Sequence, residues 1–293
     1  MEKVKVYFTK EITSESLVKI YEVLGCKLDG NVAVKLHSGE DGNQNYLRPD
    51  FMKELVNKIS GTVVECNTAY DGLRTNNEDH KELLHKHGWD EYYDVDIMDS
   101  EGDIALDIDN GKVIKKNYVG SHITNYDSML VLSHFKGHPM GGYGGALKQL
   151  SIGCASRRGK AYIHGAGTTD DADYVWGHLP SQNAFLESMA DAASSVVKLF
   201  DGKIVYINVM KNMSVDCDCC AVAEDPCLKD IGILASLDPV AIDQACIDLV
   251  KKSDDPGKEH FLERVNSRNG EHTIYSAENL GVGTREYELI SID

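Results

Sequence analysis

Three cysteines fall within five residues in Asp216-Cys217-Asp218-Cys219-Cys220, and Cys227 follows in AVAEDPC. Thiolates are good ligands for iron, zinc and copper(I). Clustered thiols in a reducing compartment serve metal binding or redox chemistry. Asp216 and Asp218 raise the thiol pKa values unless a cation is bound, which favours a metallated loop. Cys154, in SIGCASRRGK, is a further candidate ligand from across the site. The spacing matches neither the Cys-x2-Cys zinc pair nor the ferredoxin run, so the metal stays open. A reduced cysteine-rich loop without a ligand is the alternative.

A second group of reactive types sits in SHFKGHPMGGYGGALKQL, which holds His134, Lys136, His138 and Lys148 among five glycines. Backbone N–H groups of such a loop, ahead of a helix, can cradle an anion. Lys136 and Lys148 add positive charge for a carboxylate, phosphate or cofactor. The loop lacks the glycine-lysine-serine/threonine tripeptide of a Walker A motif, and its glycine spacing is not the dinucleotide fingerprint. The alternative is a tight loop whose glycines serve only backbone turns. His134, Lys136 and Lys148 are the candidate catalytic residues. Lys35, His37, His138, Gly142, Gly144, Gly145 and His164 are the candidate ligand-binding residues. Cys217, Cys219, Cys220, Cys227 and Cys154 are the candidate metal ligands. His80, His85 and His87 read as solvated residues of a charged helix.

These residues share a position relative to the expected elements. Lys35 and His37 follow the strand NVAVKLH, Cys66 ends TVVECN, His134 to His138 follow MLVLS, His164 ends KAYIHG, and the cysteines follow KIVYINVM. Ligands of open α/β sheets bind beyond the carboxyl ends of strands, so the pattern predicts one shared crevice.

The remaining pattern alternates short apolar runs with helical periods, an α/β signature. VKVYFTK reads as a strand, SESLVKIYEVLG as a helix stopped at Gly25, and RPDFMKELVNKI as a helix with Pro49 in its first turn. VDIMD, IALDID and KVIKKNYV read as strands of a more exposed, antiparallel sheet. Met129 to Leu132 suits a fully buried central strand. QNAFLESMADAASSVVKLF reads as a long helix, DIGILAS as an apolar run, and YELISID as an edge strand. Asp238 and Pro239 suit the N-cap and first position of another helix, in which Cys246 falls on the apolar stripe. The expectation is a three-layer α/β protein, with a mostly parallel sheet and helices on both faces. Two packed halves, residues 1–128 and 129–293, join near 118–128.

The 293 residues can bury a sizeable core. A net charge of -17 argues against nucleic acid and anionic membranes as partners. The start MEKVKVYFTKEI has no signal-peptide core, and no apolar run is long enough for a membrane span. A cytoplasmic protein is expected, with its eight cysteines reduced.

The stretches SHFKGHPMGGYGGALKQLSIGCASRRGK, DCDCC and DIGILASLDPVAIDQACIDL together resemble the DUF362 family, from about Val32 to the helix at Asp238-Pro239. That resemblance implies an iron–sulfur protein, as many relatives are described. Many members also carry a ferredoxin-like segment with two four-cysteine motifs, which this sequence does not contain. A fainter similarity links His134-Phe135, Gly137, Gly144-Gly145 and Lys148 to the loop of nickel-pincer lactate racemases. It implies His134 and His164 as acid–base groups and Lys136 or Lys148 as a carboxylate anchor.

Three functions follow as expectations. The first is a metal-dependent redox protein, holding an iron–sulfur cluster or another thiolate-bound metal beside a small anionic ligand, and working with a redox partner protein. The second is an isomerase or racemase acting on small hydroxy acids. The third is a non-catalytic metal carrier.

Overall fold

The computed structural model describes residues 3–293. Strands β1 (Val4–Thr9), β2 (Val32–Lys35), β3 (Gly61–Glu65) and β4 (Val95–Ile97) alternate with helices α1 (Ser14–Glu22), α2 (Pro49–Lys58) and α3 (Asn77–Lys86). A hairpin of β5 (Asp103–Asp107) and β6 (Lys116–Gly120) precedes β7 (Ser128–His134). Then come a small hairpin, β8 (Lys136–His138) with β9 (Gly142–Gly144), and helices α4 (Ala146–Lys148), α5 (Arg157–His164) and α6 (Gln182–Phe200). The chain finishes with β10 (Ile204–Met210), β11 (Gly232–Ser236), α7 (Pro239–Lys252), α8 (Lys258–Ser267), α9 (His272–Asn279) and β12 (Tyr287–Ser291).

Eight strands form one sheet in the order β12-β1-β11-β10-β7-β2-β3-β4. Only β11 runs against its neighbours; the other pairings are parallel. The architecture is therefore a mostly parallel three-layer α/β fold. Alternation along each strand feeds two cores. Val34, Leu130, Leu132, Val205 and Ile207 face α1 and α2, packing with Leu17, Ile20, Met52 and Leu55. Ala33, Met129, Val131, Ile204 and Tyr206 face the other way, toward Ala190, Val196, Ile242 and Phe261 of α6, α7 and α8. Every residue of β7 and β10 is buried, as a strand covered on both faces requires.

Local signals explain most boundaries. The Asp238 carboxylate accepts the N–H groups of Val240 and Ala241 at 2.8 and 2.9 Å, and Pro239 follows as the first helical residue. Pro49 likewise opens α2.

Four expectations are corrected. KAYIHG is part of helix α5, not a strand. The glycine-rich stretch is the β8–β9 hairpin rather than an open loop. VDIMD supplies β4, which joins the main sheet in parallel; only β5 and β6 form the separate antiparallel pair. His80 is wholly buried, its Nδ1 3.0 Å from Asn67 Oδ1, because α3 turns that face inward. Among the described residues, no helix is long and apolar enough to cross a membrane.

Candidate anion and metal site

Strands β10, β7, β2 and β3 are parallel neighbours, so their carboxyl ends lie side by side. A cavity of about 220 Å³ opens beyond them. Lys35 and His37 reach it from β2, Glu65 and Cys66 from β3, Lys136 and His138 from the chain after β7, and Cys219 from the loop after β10. His164 also lines it, but from α5.

The hairpin and the cysteine loop are held together by backbone. The Gly137 N–H donates to the Ser214 carbonyl at 2.8 Å, and a Cβ on Gly137 would collide with the Val215 backbone. Only glycine permits that approach. Asp218 then reaches back, lying 2.8 Å from Lys136 Nζ and 2.9 Å from His134 Nδ1. Burial alone would raise the Asp218 carboxyl, but His134 and Lys136 outweigh it and hold the group low. The other nitrogen of His134 meets the Lys211 carbonyl at 2.5 Å. His134 is thus spent on supporting Asp218 and does not line the cavity.

The glycines divide by task. Gly144 and Gly145 line the cavity; Gly142 lies at the hairpin turn with φ +80°, against Gly270. The expected anion cradle at the start of α4 is already filled. Asp243 of α7 takes the N–H groups of Ala146 and Leu147 at 2.8 and 3.0 Å. It also accepts from Asn208 at 2.8 Å and from the Tyr143 hydroxyl at 3.1 Å. Any side chain at Gly145 would collide with that carboxylate.

Charge in the cavity runs opposite to that of the whole chain. Lys35, Arg74, Lys136, Lys148 and Lys160 all line it, and among the described residues Glu65 is the one carboxylate in its lining. Lys35 Nζ sits 2.6 Å from Glu65, and Arg74 lies 3.2 Å from Glu40 and 3.5 Å from Glu65. Burial works against the Glu65 carboxylate, yet the charges of Lys35 and Arg74 hold it well below the usual range. Burial, aided by the Arg74 guanidinium 3.3 Å away, keeps His37 neutral. Glu65, Arg74, Lys160 and the Tyr70 hydroxyl, 2.6 Å from Arg74, escaped the sequence reading. Their one signal was position: Glu65 ends a strand, and Arg74 lies in the loop after it.

His138 and Cys219 of the cavity lining and the buried Cys217 bring three donor atoms within 4.8 Å of one another. This group can hold a metal ion. Lys148 Nζ stands 3.3 Å from Cys217 Sγ. Burial opposes ionisation of Cys217, but a hydrogen bond from Cys219 and the charges of Lys148 and Lys136 leave its thiol well below the ordinary value. Burial lowers Lys148, but Cys217 and Cys219 reverse that and raise it. Burial, with Lys148 nearby, pulls His138 down to about 4, so its ring is neutral.

The other expected sulfur ligands stand outside this group. Cys220 neighbours Cys219 but is half-buried and not part of the trio. Cys227 Sγ points to the Met213 carbonyl at 3.4 Å, and burial pushes its thiol up to about 11. Cys154 is sealed in the core with Leu147 and Leu150, and burial pushes it up to about 11 as well. Of the five candidate sulfur ligands, Cys217 and Cys219 fall within this group, which His138 completes.

Two solved structures are similar to this chain. One is the lactate racemase apoprotein from Thermoanaerobacterium thermosaccharolyticum, at 14% identity and a TM-score of 0.41, covering 71% of this chain and 51% of that one. The other is a protein from Thermotoga maritima, at 12% identity and a TM-score of 0.44, covering 92% and 59% respectively. The chain therefore spans between half and three-fifths of the length of these structures. No curated protein matches it. Residues 32–248 match the model of the family described as domain of unknown function DUF362, and the chain belongs to that family.

Proposed function

We propose that the protein is a metal-dependent enzyme acting on a small anionic substrate. The observation that carries this reading is a juxtaposition. Three metal-ligating atoms lie within 4.8 Å of one another, and two of the residues that carry them, His138 and Cys219, line a cavity that Lys35, Arg74, Lys136, Lys148 and Lys160 also line. Two thiolates and an imidazole suit zinc and similar transition metals, and three protein ligands leave a position open for substrate. A metal there would supply Lewis-acid polarisation of a substrate oxygen. Lys148, Lys136 and Arg74 would bind and orient the anion. An iron–sulfur cluster ordinarily takes four thiolates, and fewer are gathered here.

One observation favours a second reading without metal. His138 Nδ1 accepts the N–H groups of Met140 and Gly141 at 3.1 and 2.8 Å. In the neutral ring Nε2 therefore carries the proton and faces the sulfurs, 3.9 Å from Cys219. Metal-bound histidines usually donate from the second nitrogen instead. The arrangement also suits a Cys217 thiolate held by Lys148 and His138 as a nucleophile or redox group.

Anaerobic purification followed by elemental analysis decides between the two. Stoichiometric metal, lost in Cys217→Ser and Cys219→Ser, supports the first reading. Metal-free protein with one thiol alkylated much faster than the rest at neutral pH supports the second and overturns the first.

A further inference from the structure

Lys160 differs from the other cations of the cavity. Lys35 has Glu65 at 2.6 Å, Arg74 has Glu40 at 3.2 Å, Lys136 has Asp218 at 2.8 Å, and Lys148 has the Cys217 sulfur at 3.3 Å. Lys160 Nζ donates to the Ala155 carbonyl at 2.6 Å. Among the described residues, no carboxylate comes within 4.0 Å of it, although the side chain is buried. An ammonium buried without a counter-ion is costly; a neutral amine is not. Burial lowers the amine from its ordinary value, against the opposing influence of Cys66, Asp99 and Glu65.

His164 stands one helical turn further along the same face of α5 and also lines the cavity. Its Nδ1–H donates to the Lys160 carbonyl at 2.7 Å, which leaves Nε2 with the free lone pair. The ring stacks on Phe185 at 4.9 Å and lies 5.1 Å from Trp176. Burial pulls it down to about 3, so it is a neutral acceptor. An amine whose burial disfavours its charge and a neutral imidazole thus share a cavity that Lys35, Arg74, Lys136 and Lys148 also line.

We propose that Lys160 captures the carbonyl group of a small keto acid, with His164 handling the protons and the cationic walls holding the carboxylate. The amine nitrogen adds to the carbonyl carbon, and the C=O electron pair moves to oxygen, which takes a proton. The resulting carbinolamine loses its hydroxyl as water, leaving an imine between Lys160 and the substrate. The amine has then lost its two protons to the departing water, and no oxidant or reductant is needed. This inference rests on the reading of the cavity as an anion site, not on the identity of any metal.

The test is reductive trapping. The protein as purified is incubated with pyruvate and cyanoborohydride, followed by intact mass measurement and peptide mapping. The expected result is one reduced pyruvyl group per chain, on Lys160, and its loss in Lys160→Arg. Lys198→Arg, at an exposed lysine, leaves trapping unchanged. Excess lactate, an anion with no keto group, slows the trapping. Absence of an adduct, or adducts spread over surface lysines with Lys160 unmodified, overturns the proposal. Calorimetric titration with lactate separates the two levels. Anion binding without a Lys160 adduct removes only the imine, whereas absence of both removes the anion site as well. Mapping on the wild-type chain decides the matter even where Lys160→Arg folds poorly.

Discussion

The ammonium of Lys148 lies 3.3 Å from the sulfur of Cys217, so the chain that follows β9 and the loop that follows β10 meet at one contact. Cys217 is buried and Lys148 partly so, and each shifts the ionisation of the other in the direction of charge. The contact ties the lysine-lined side of the cavity to the proposed metal ligands.

Lys148→Met keeps the volume and removes the charge. Loss of a charged hydrogen bond to a bound anion costs about 1.5–3 kcal/mol, which is roughly a tenfold to hundredfold drop in affinity. Metal content should stay unchanged, because Lys148 supplies none of the three donor atoms. Calorimetry with a small carboxylate, beside elemental analysis, checks both parts. Equal loss of metal would make Lys148 a structural prop of the cysteine loop.

Gly137→Ala probes the backbone contact between β8 and the segment before Cys217. A methyl group there collides with Val215, and backbone cannot move aside as cheaply as a side chain. Overpacking of this kind costs about 1–3 kcal/mol. The expected outcome is a folded protein with a lower melting temperature and weakened metal binding, since His138 and Cys217 belong to the two segments being forced apart. A variant with unchanged metal affinity would show that the trio tolerates the displacement.

The strands that frame the site were legible because their apolar residues alternate or run unbroken. Val32 to Lys35 and Ser128 to His134 are buried throughout, and the reactive residues follow their ends. Helix α5 was not legible. Its stretch RRGKAYIH carries a glycine where a turn is expected, yet Gly159 is there because a Cβ would collide with the Tyr118 carbonyl of β6. Ser156, which accepts the Gly159 N–H at 3.0 Å, was the overlooked cap. Arg74 and Glu65 carried no signal of their own, since Glu65 meets Lys35 and Arg74 meets Glu40 only once β2 and β3 lie side by side. The role of Asp243 was equally hidden. A carboxylate nearly 100 residues away in sequence fills the helix start that otherwise reads as an anion cradle.

Asp243 also sets a pH dependence. Burial raises its carboxyl from 3.8 to about 6, against the hydrogen bonds from Asn208, Leu147 and Ala146. A carboxyl raised on folding favours the native state most when protonated, below its unfolded value, and that advantage is lost as pH rises through about 6. The interval corresponds to roughly 3 kcal/mol at most. Asp243→Asn has no such titration. Its stability deficit relative to wild type should therefore be larger at pH 4 than at pH 7, measured by urea unfolding at both. A deficit that is constant across this range would mean that Asp243 ionises at its ordinary value.

A series of single cysteine variants distinguishes a mixed histidine–thiolate centre from a four-thiolate one. Cys217→Ser and Cys219→Ser each remove one of three donors, and metal content should fall to near zero in both. His138→Ala should do the same while leaving every thiol in place. Cys227→Ser should keep its metal, because its sulfur faces the Met213 carbonyl. Cys154→Ala should also keep its metal, with a modest stability loss of about 1 kcal/mol from the small cavity left in the core. Cys220→Ser is the most informative member. Cys220 adjoins Cys219, and burial leaves it half open to solvent. Retention of metal in Cys220→Ser fits three protein ligands with an open fourth position. Loss of metal there, with visible absorbance in the wild type, would move the assignment toward a sulfur-rich iron centre built on all three cysteines of the loop.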